Sequence, residues 1–443
     1  MIKFSILLFT IFLAVFSILE ELVEAQCPQP ITRLKKKYQK PTKKFLVLLK
    51  TTVSNEKKSL ILEKHLKFMK ECWGRVPSFA FGKEFYYKSS HLFVFSGGSL
   101  EGYSGLFDPL FVEEQLRPLP EIQLIEKDTL VSTFGVITDF IEGDYNNTDD
   151  GGDYTLKSKS ITHINPTFNL DRIDQAHFSL DRKFSFPSSA GSDVNIYVLD
   201  TGINIDHKEF GGRASIGGTF CIGCESFDDN GHGTHIAGII GGETFGVARK
   251  SRLISVKVLN SFGNGRVSEV IAGIAFVLNK HKTSRNKNTV VNMSFGGDTS
   301  EALNYAVRLL TNAGIHVVAA AGNDGDDACD VSPASAQSAI TVGAIEHRKN
   351  IKADFSNFGR CVDIFAPGVD IISASSESNT GRVIFSGTSQ AAPHITGTIA
   401  LIIGEFGNSH PSKMAEKLIY TSTKNVINDL SHDTPNRLVL VPN

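Results

Sequence analysis

The sequence predicts an α/β protein: a parallel sheet flanked by helices over residues 165–443, preceded by a small α+β module. Three observations carry this. Short, nearly continuous Val/Ile/Leu runs recur at Val194–Leu199, Leu253–Leu259, Val290–Ser294, His316–Ala321 and Ala339–Gly343. Such runs fit strands buried on both faces, as in parallel sheets. Between and after them, Thr234–Gly241, Val267–Asn279, Ser300–Ala313 and Ala391–Glu405 carry apolar residues at helical spacing. The 39 glycines fit a turn-rich α/β chain better than a helical bundle.

Taken in order, the 443 residues leave room for two or three domains. Residues 1–25 read as a secretory signal: Lys3, an apolar run from Phe4 to Leu19, and the small-residue site Val23-Glu24-Ala25. The run is shorter than the roughly 20 residues of a spanning helix. An uncleaved anchor is the other reading. Residues 27–44 are basic, either a processing site or a solvated arm, and the solvated arm is the better reading.

The small module occupies the rest of 26–134. Phe45–Leu49 and Leu92–Phe95 read as strands, Ser59–Cys72 as a helix, and Ile122–Asp128 as a closing edge strand. Between them Gly102–Gln115 resembles a segment of a known family in which a Gly-Tyr-Ser-Gly turn, here Gly102–Gly105, leads into a helix. Strand, helix, strand, helix, strand is the order of a ferredoxin-like split βαβ sheet. Residues 135–164 are expected to be a flexible acidic linker, with Asp144, Asp149, Asp150 and Asp153 among glycines. Asn146-Asn147-Thr148 is a glycosylation sequon there.

The balance of 45 basic and 47 acidic side chains, net −2, offers no basic surface for nucleic acid. Besides residues 1–25, no segment reads as a membrane span, and a monomer is expected. Six cysteines allow fifteen full pairings. Cys221 and Cys224 lack nearby metal ligands and the strand-to-helix setting of a redox motif, so a tight local disulfide is expected. Cys27 and Cys72 stay unassigned.

The chemistry centres on Phe385-Ser386-Gly387-Thr388-Ser389-Gln390-Ala391-Ala392-Pro393-His394. Gly387 permits a tight turn, and the apolar segment Ile395–Ile403 reads as a buried helix with Pro393 in its first turn. Ser389 then sits at a helix N-terminus, where free N–H donors meet a developing anion. It reads either as an N-cap or as a nucleophile with donors in place for an oxyanion.

Four motifs together carry more: Asp200-Thr201-Gly202, His232-Gly233-Thr234-His235, Ala321-Gly322-Asn323 and Gly387-Thr388-Ser389. Their order, Asp, His, Ser, resembles the subtilisin-type serine peptidases, and the proteinase K branch above all. The resemblance runs from about Leu170 to the C-terminus, with a second match over the small module. It implies a subtilisin-like fold, a secreted or vacuolar serine endopeptidase acting on protein or peptide substrates, and an inhibitor propeptide that is its own chain. It assigns Asp200, His232 and Ser389 as the triad and Asn323, with the Ser389 N–H, as the oxyanion donors. Ser294, Phe295 and Gly296 resemble the strand that pairs with substrate; Ala320 and Gly322 resemble the other wall of the S1 pocket. Neither wall is acidic, so apolar or broad preference at P1 is expected. The family's propeptide ends in the cleft, which here implies a cut after Val131-Ser132-Thr133-Phe134; the thirty-residue continuation leaves a later cut before Asn165 as the other reading. The resemblance also implies the disulfide Cys329–Cys361 and a structural calcium held by the Asp363 carboxylate and the carbonyls of Gln337 and Ala339. Gln337 stands where the family usually has Pro.

Two departures stand out. Gln390 follows the nucleophile where relatives carry Met, and Ile236 replaces a frequent Cys. The block Ser389-Gln390-Ala391-Ala392, with Asp326-Asp327-Ala328-Cys329, resembles a secreted convertase that cleaves only itself and stays bound to its propeptide. An active endopeptidase is the preferred function, and a self-cleaving binding protein the alternative.

Overall fold

The structure, a computed structural model, describes residues 43–50, 85–88, 92–107, 109–141, 155–157 and 160–442. The expected signal, the basic arm, the helix at Ser59–Cys72, Cys27, Cys72, the acidic tract and the sequon lie outside the described residues.

The strands in chain order begin with β1 Lys43–Leu49, β2 Phe85–Lys88, β3 Leu92–Gly97, β4 Leu100–Phe107 and β5 Ile122–Lys127. These form one sheet in the order β2-β3-β4-β1-β5. With β2 set aside as an added edge, the remaining order is that of a ferredoxin-like sheet. The Gly102–Gly105 stretch is a correction. It is strand, not turn, and pairs antiparallel with β1, Tyr103 opposite Val47. Tyr103 and Phe107 are fully buried, which makes strand the better use of those side chains. The helical segment starts only at Pro109.

Next come β6 Leu130–Thr133, β7 Val136–Ile141, β8 Thr155–Lys157, β9 Ser160–Ile164 and β10 Lys183–Pro187. The linker expected over 135–164 is therefore structured wherever it is described. β8 and β9 continue a small antiparallel sheet with β10. β7 joins another sheet, described below.

The main sheet draws on β11 Asn195–Asp200, β12 Ala214–Thr219, β13 Arg252–Lys257, β15 Thr289–Met293, β17 His316–Ala320, β19 Ile340–Glu346 and β21 Ile364–Pro367. Smaller strands are β14 Asn264–Arg266, β16 Phe295–Asp298, β18 Val331–Ser332, β20 Ile351–Lys352, β22 Ile371–Ala374, β23 Arg382–Ser386, β24 Thr423–Lys424 and β25 Arg437–Leu438. The order β12-β13-β11-β15-β17-β19-β21 is parallel throughout. The chain leaves β11 in one direction and returns past it to β15. Such a reversal opens a crevice at the carboxyl ends of the strands.

Six helices complete this unit: α1 Phe168–Ile173, α2 His232–Gly241, α3 Val267–Thr283, α4 Glu301–Asn312, α5 Thr388–Phe406 and α6 Pro411–Thr421. Along β11 the side chains alternate. Ile196 and Val198 join Ile236 and Ile240 of α2 and Ile395 and Ile399 of α5 in one core. Tyr197, on the opposite face, meets Phe276 of α3 edge-on. α4 starts at a Ser300 cap that accepts from Leu303 N–H at 3.1 Å and buries Leu303, Val307 and Leu310 at helical spacing. The bridges Cys221–Cys224 and Cys329–Cys361 are both formed.

Candidate active site

Asp200 ends β11, Ser294 follows β15 and Asn323 follows β17, so the parallel sheet delivers all three to one rim. His232 and Ser389 start the two helices α2 and α5 that pack on that sheet.

α5 begins at Thr388, five residues before Pro393, which corrects the expected helix start. Pro393 lies inside the helix. Its missing N–H leaves the carbonyl of Ser389 without the usual i→i−4 partner. The Ser294 hydroxyl takes that place, donating to the Ser389 carbonyl at 2.9 Å. In return the Ser389 hydroxyl donates to the Ser294 carbonyl at 2.7 Å. A helix-breaking residue thus ties the serine to the end of β15.

His232 Nδ1 lies 2.8 Å from Asp200 Oδ1, and both side chains are buried. The same Asp200 oxygen accepts from the Thr201 N–H at 2.7 Å. Among the described residues His232 Nε2 is buried without a hydrogen-bond partner, while the Ser389 hydroxyl donates to the Ser294 carbonyl. The loop before α2 is built on Asp228. Its carboxylate accepts from Thr201 Oγ1, Gly231 N–H and both Thr234 N–H and Oγ1 at 2.6–2.9 Å. Sequence reasoning passed over Asp228; the Asp-x-Asn-Gly run before a helix start was the available signal.

His235 and His394 have separate duties. His235 stacks on Phe385 at 4.4 Å and its Nε2 meets the Ile371 and Val383 carbonyls. Burial pushes it down to about 3. His394 is held between the Gln390 carbonyl and Asn169, and burial pushes it to about 4.

The cleft is filled by the chain itself. β6 lies between β14 and β16, with Ser132 opposite both Asn264 and Gly296, and Thr133 opposite Phe295. Phe134 N–H donates to the Ser389 hydroxyl at 3.1 Å. Asn323 Nδ2 donates to the Phe134 carbonyl oxygen. The Asn323 amide is oriented by its own Oδ1, which accepts from Thr388 N–H and Oγ1 at 2.9 and 2.8 Å. Beyond Gly135, β7 pairs antiparallel with β23, Val136 opposite Ser386.

Of Ser294–Gly296, Phe295 and Gly296 pair with the chain's own β6. A Cβ added to Gly296 would lie 2.5 Å from Phe134 Cζ, so that glycine borders the aromatic ring. Ala320 is buried at the end of β17. Gly322 donates to Thr388 Oγ1 at 3.1 Å and accepts from Asn357 N–H at 3.0 Å, bracing the Asn323 loop. The facing wall supplied by Gly263–Arg266 was not foreseen, since Asn-Gly-Arg has no strand signature. Asp326 and Asp327 spend side-chain oxygens on their own loop, at Asp327 and Cys329 N–H.

For calcium, Asp363 is the only charged member of the expected set. Its Oδ2 accepts from Thr341 N–H at 2.9 Å, and Arg437 Nη1 reaches its main-chain carbonyl at 3.4 Å. Burial pushes its carboxyl up to about 6 despite the nearby guanidinium. Carboxylate and main-chain carbonyl oxygens are the donor class that calcium takes. No cluster of three or more His, Cys, Asp or Glu side chains able to hold a metal occurs among the described residues. No helix among them is long and apolar enough to cross a membrane.

Comparison with known proteins places the site in context. The Subtilase family model matches residues 191–437. A subtilisin-like serine protease, pepC of Aspergillus niger, is 38% identical over 380 residues, covering 81% of this chain and 66% of that one. The subtilase-type proteinase psp3 of Schizosaccharomyces pombe is 37% identical over 397 residues, 89% and 81% of the two chains. An extracellular serine proteinase of a Thermus strain is 46% identical over 277 residues, 62% and 66%. The crystal structure of a cold-adapted subtilisin-like serine proteinase superposes with a TM-score of 0.59 at 38% identity, covering 63% of this chain and 99% of that one.

Proposed function

Because this chain belongs to the subtilase family of serine peptidases, we propose that it is a secreted endopeptidase that first cuts its own bond between Phe134 and Gly135. In this reading Ser389 Oγ attacks the Phe134 carbonyl carbon while His232 Nε2 takes the hydroxyl proton. That needs the hydroxyl to rotate from Ser294 to His232. Asp200 holds Nδ1–H and steadies the imidazolium. Asn323 Nδ2 and the first-turn N–H of Ser389 receive the oxyanion. The imidazolium gives its proton to the Gly135 nitrogen, the new amine leaves, and water, deprotonated by His232, hydrolyses the Phe134 ester.

The observation that carries this is the position of Phe134: its N–H on Ser389 Oγ and its carbonyl on Asn323 Nδ2. Residues 26–134 would be the inhibitor propeptide, its tail on the unprimed side of the cleft, and 165–443 the peptidase. Asp363 with the Gln337 and Ala339 carbonyls would hold a structural calcium that lends stability and takes no part in the chemistry. Mass spectrometry of the secreted protein tests the proposal. The native chain should give two pieces divided at 134/135, and a Ser389→Ala chain one. Division of the Ser389→Ala chain at that bond would refute self-processing by this serine.

The alternative, a protein that cuts itself once and then acts by binding, draws on the filling of both sides of the cleft by Leu130–Ile141. A propeptide that stays stoichiometric for days, with no added peptide cut, decides for it.

A further inference from the structure

The leaving-group side of the bond has its own geometry. Gly135 is held from both directions: Phe134 is fixed by Ser389 and Asn323, and Val136 is already paired with Ser386. Its Cα therefore has little freedom. A Cβ placed there would lie 2.7 Å from His232 Cδ2, 2.9 Å from His232 Nε2 and 3.0 Å from Gln390 Nε2. The two His232 distances are shorter than carbon tolerates without something moving, and the Gln390 distance is tighter than most such contacts.

The ring is tethered, and the amide is enclosed by packing. The His232 ring is tied to Asp200 at 2.8 Å and is buried. Gln390 is 0% exposed, and its Oε1 lies 2.8 Å from where a Cβ on Gly387 would stand. Its amide is wedged between two glycines, one in the enzyme and one in the chain being cut. Both amide atoms of Gln390 are buried without hydrogen-bond partners among the described residues, so packing alone holds the side chain there.

We propose that Gln390, with the ring of His232, restricts the residue after the cut to glycine, so that the substrates are peptides with glycine directly following an apolar residue. This rests on the proteolytic function proposed above and narrows its substrate class. The same restriction holds for any peptide that adds strands on both sides of the site, because the backbone clamps on Phe134 and Val136 act on main-chain atoms. Shortening Gln390 breaks no hydrogen bond among the described residues, removes the contact at 3.0 Å and frees space beside the His232 ring.

The test uses the matured enzyme and the peptides Leu-Val-Ser-Thr-Phe-Xaa-Val-Ile with Xaa as Gly, Ala, Ser or Val. The expected kcat/KM for Gly exceeds that for Ala by about 10–200-fold, the range one misfitted methyl commands. In Gln390→Ala the ratio should fall to within about tenfold. Equal rates for Gly and Ala in the native enzyme overturn the gate while leaving the peptidase reading intact. The same comparison in cis serves a chain that cuts no added peptide. Gly135→Ala should divide about 10–200-fold more slowly than native, and Gly135→Ala/Gln390→Ala should recover to within about tenfold of native division at 134/135. A Gly135→Ala chain that divides at the native rate overturns the gate. A native chain that never divides at 134/135 overturns both the gate and the reading beneath it.

Discussion

The backbone N–H of Phe134 donates to the hydroxyl of Ser389 across 3.1 Å, joining residues 255 positions apart. With Asn323 on the Phe134 carbonyl oxygen, the peptide bond after Phe134 lies where a reacting bond would.

Asn323 serves that bond and its own loop at once. In Asn323→Leu the donor to the oxyanion is lost, and so are the acceptors for Thr388 N–H and Oγ1. The expected result is a fall in kcat of about 10²–10³-fold with KM little changed. Steady-state kinetics on a chromogenic peptide check this, with a melting curve to show that the variant is folded. A kcat within a few-fold of native would remove Asn323 from the chemistry.

In the proposed reading Gly296 bounds the pocket for the P1 side chain. A methyl at that position would lie 2.5 Å from Phe134 Cζ and 2.8 Å from Val331 Cγ1. Gly296→Ala should therefore reject Phe at P1 while still accepting Ala, shifting the Phe:Ala ratio of kcat/KM by roughly 10–200-fold. The same variant should process itself slowly, seen as the undivided chain on a gel. An unchanged ratio would mean that the P1 side chain lies elsewhere.

His347 makes the fold sensitive to acid. It is buried, neither ring nitrogen has a partner among the described residues, and burial with the charges of Arg348, His394 and Arg172 pushes it down to about 3. The unfolded chain binds that proton near pH 6.5, the folded one only near pH 3. Stability is therefore whole above pH 6.5 and falls as pH drops toward 3. His235, His394 and His163 act with the same sign. His347→Leu breaks no hydrogen bond and should flatten the fall of Tm between pH 6.5 and 4. Thermal unfolding across that range reads the slope, and an identical slope in the variant excludes His347 as a source.

Asp363 works in the other direction. Its carboxyl is raised to about 6, so its favourable contribution is full below pH 3.8 and lost as pH rises through 6. A bound cation would reverse that loss at neutral pH. Calcium at 100 times its Kd should add about 2.7 kcal/mol, or several degrees in Tm, and a chelator should remove it. In Asp363→Asn the chelator should have no effect. A native Tm indifferent to both calcium and chelator argues that Arg437 alone balances the carboxylate.

Much of the fold could be read from local pattern. The strands at β11, β13, β15, β17 and β19 and the helices α2 to α5 carry buried side chains at their own period, and each was foreseen to within a few residues. β14 was not, because Asn264-Gly265-Arg266 has nothing to bury and is strand only through its partner β6. β7 was hidden for a different reason: Val136-Ile137-Thr138-Asp139-Phe140-Ile141 does not alternate, and it adjoins an acidic, glycine-rich tract whose composition dominates the window. Leu100–Phe107 was misread because glycines that signal a turn also fit a strand with buried aromatics.

By itself, the sequence determined which groups the site contains. The order of Asp200, His232 and Ser389, the asparagine after a glycine and the serine ahead of a proline-bearing helix are properties of the string, set by chemistry and local backbone preference. Only the tertiary structure decided what those groups face. The hydroxyl of Ser389 is turned to Ser294 instead of His232, the cleft holds Leu130–Ile141, and Gln390 stands against Gly135. These depend on where strands far apart in the chain come to lie, and a residue's neighbours across a cleft leave no periodicity in its own segment.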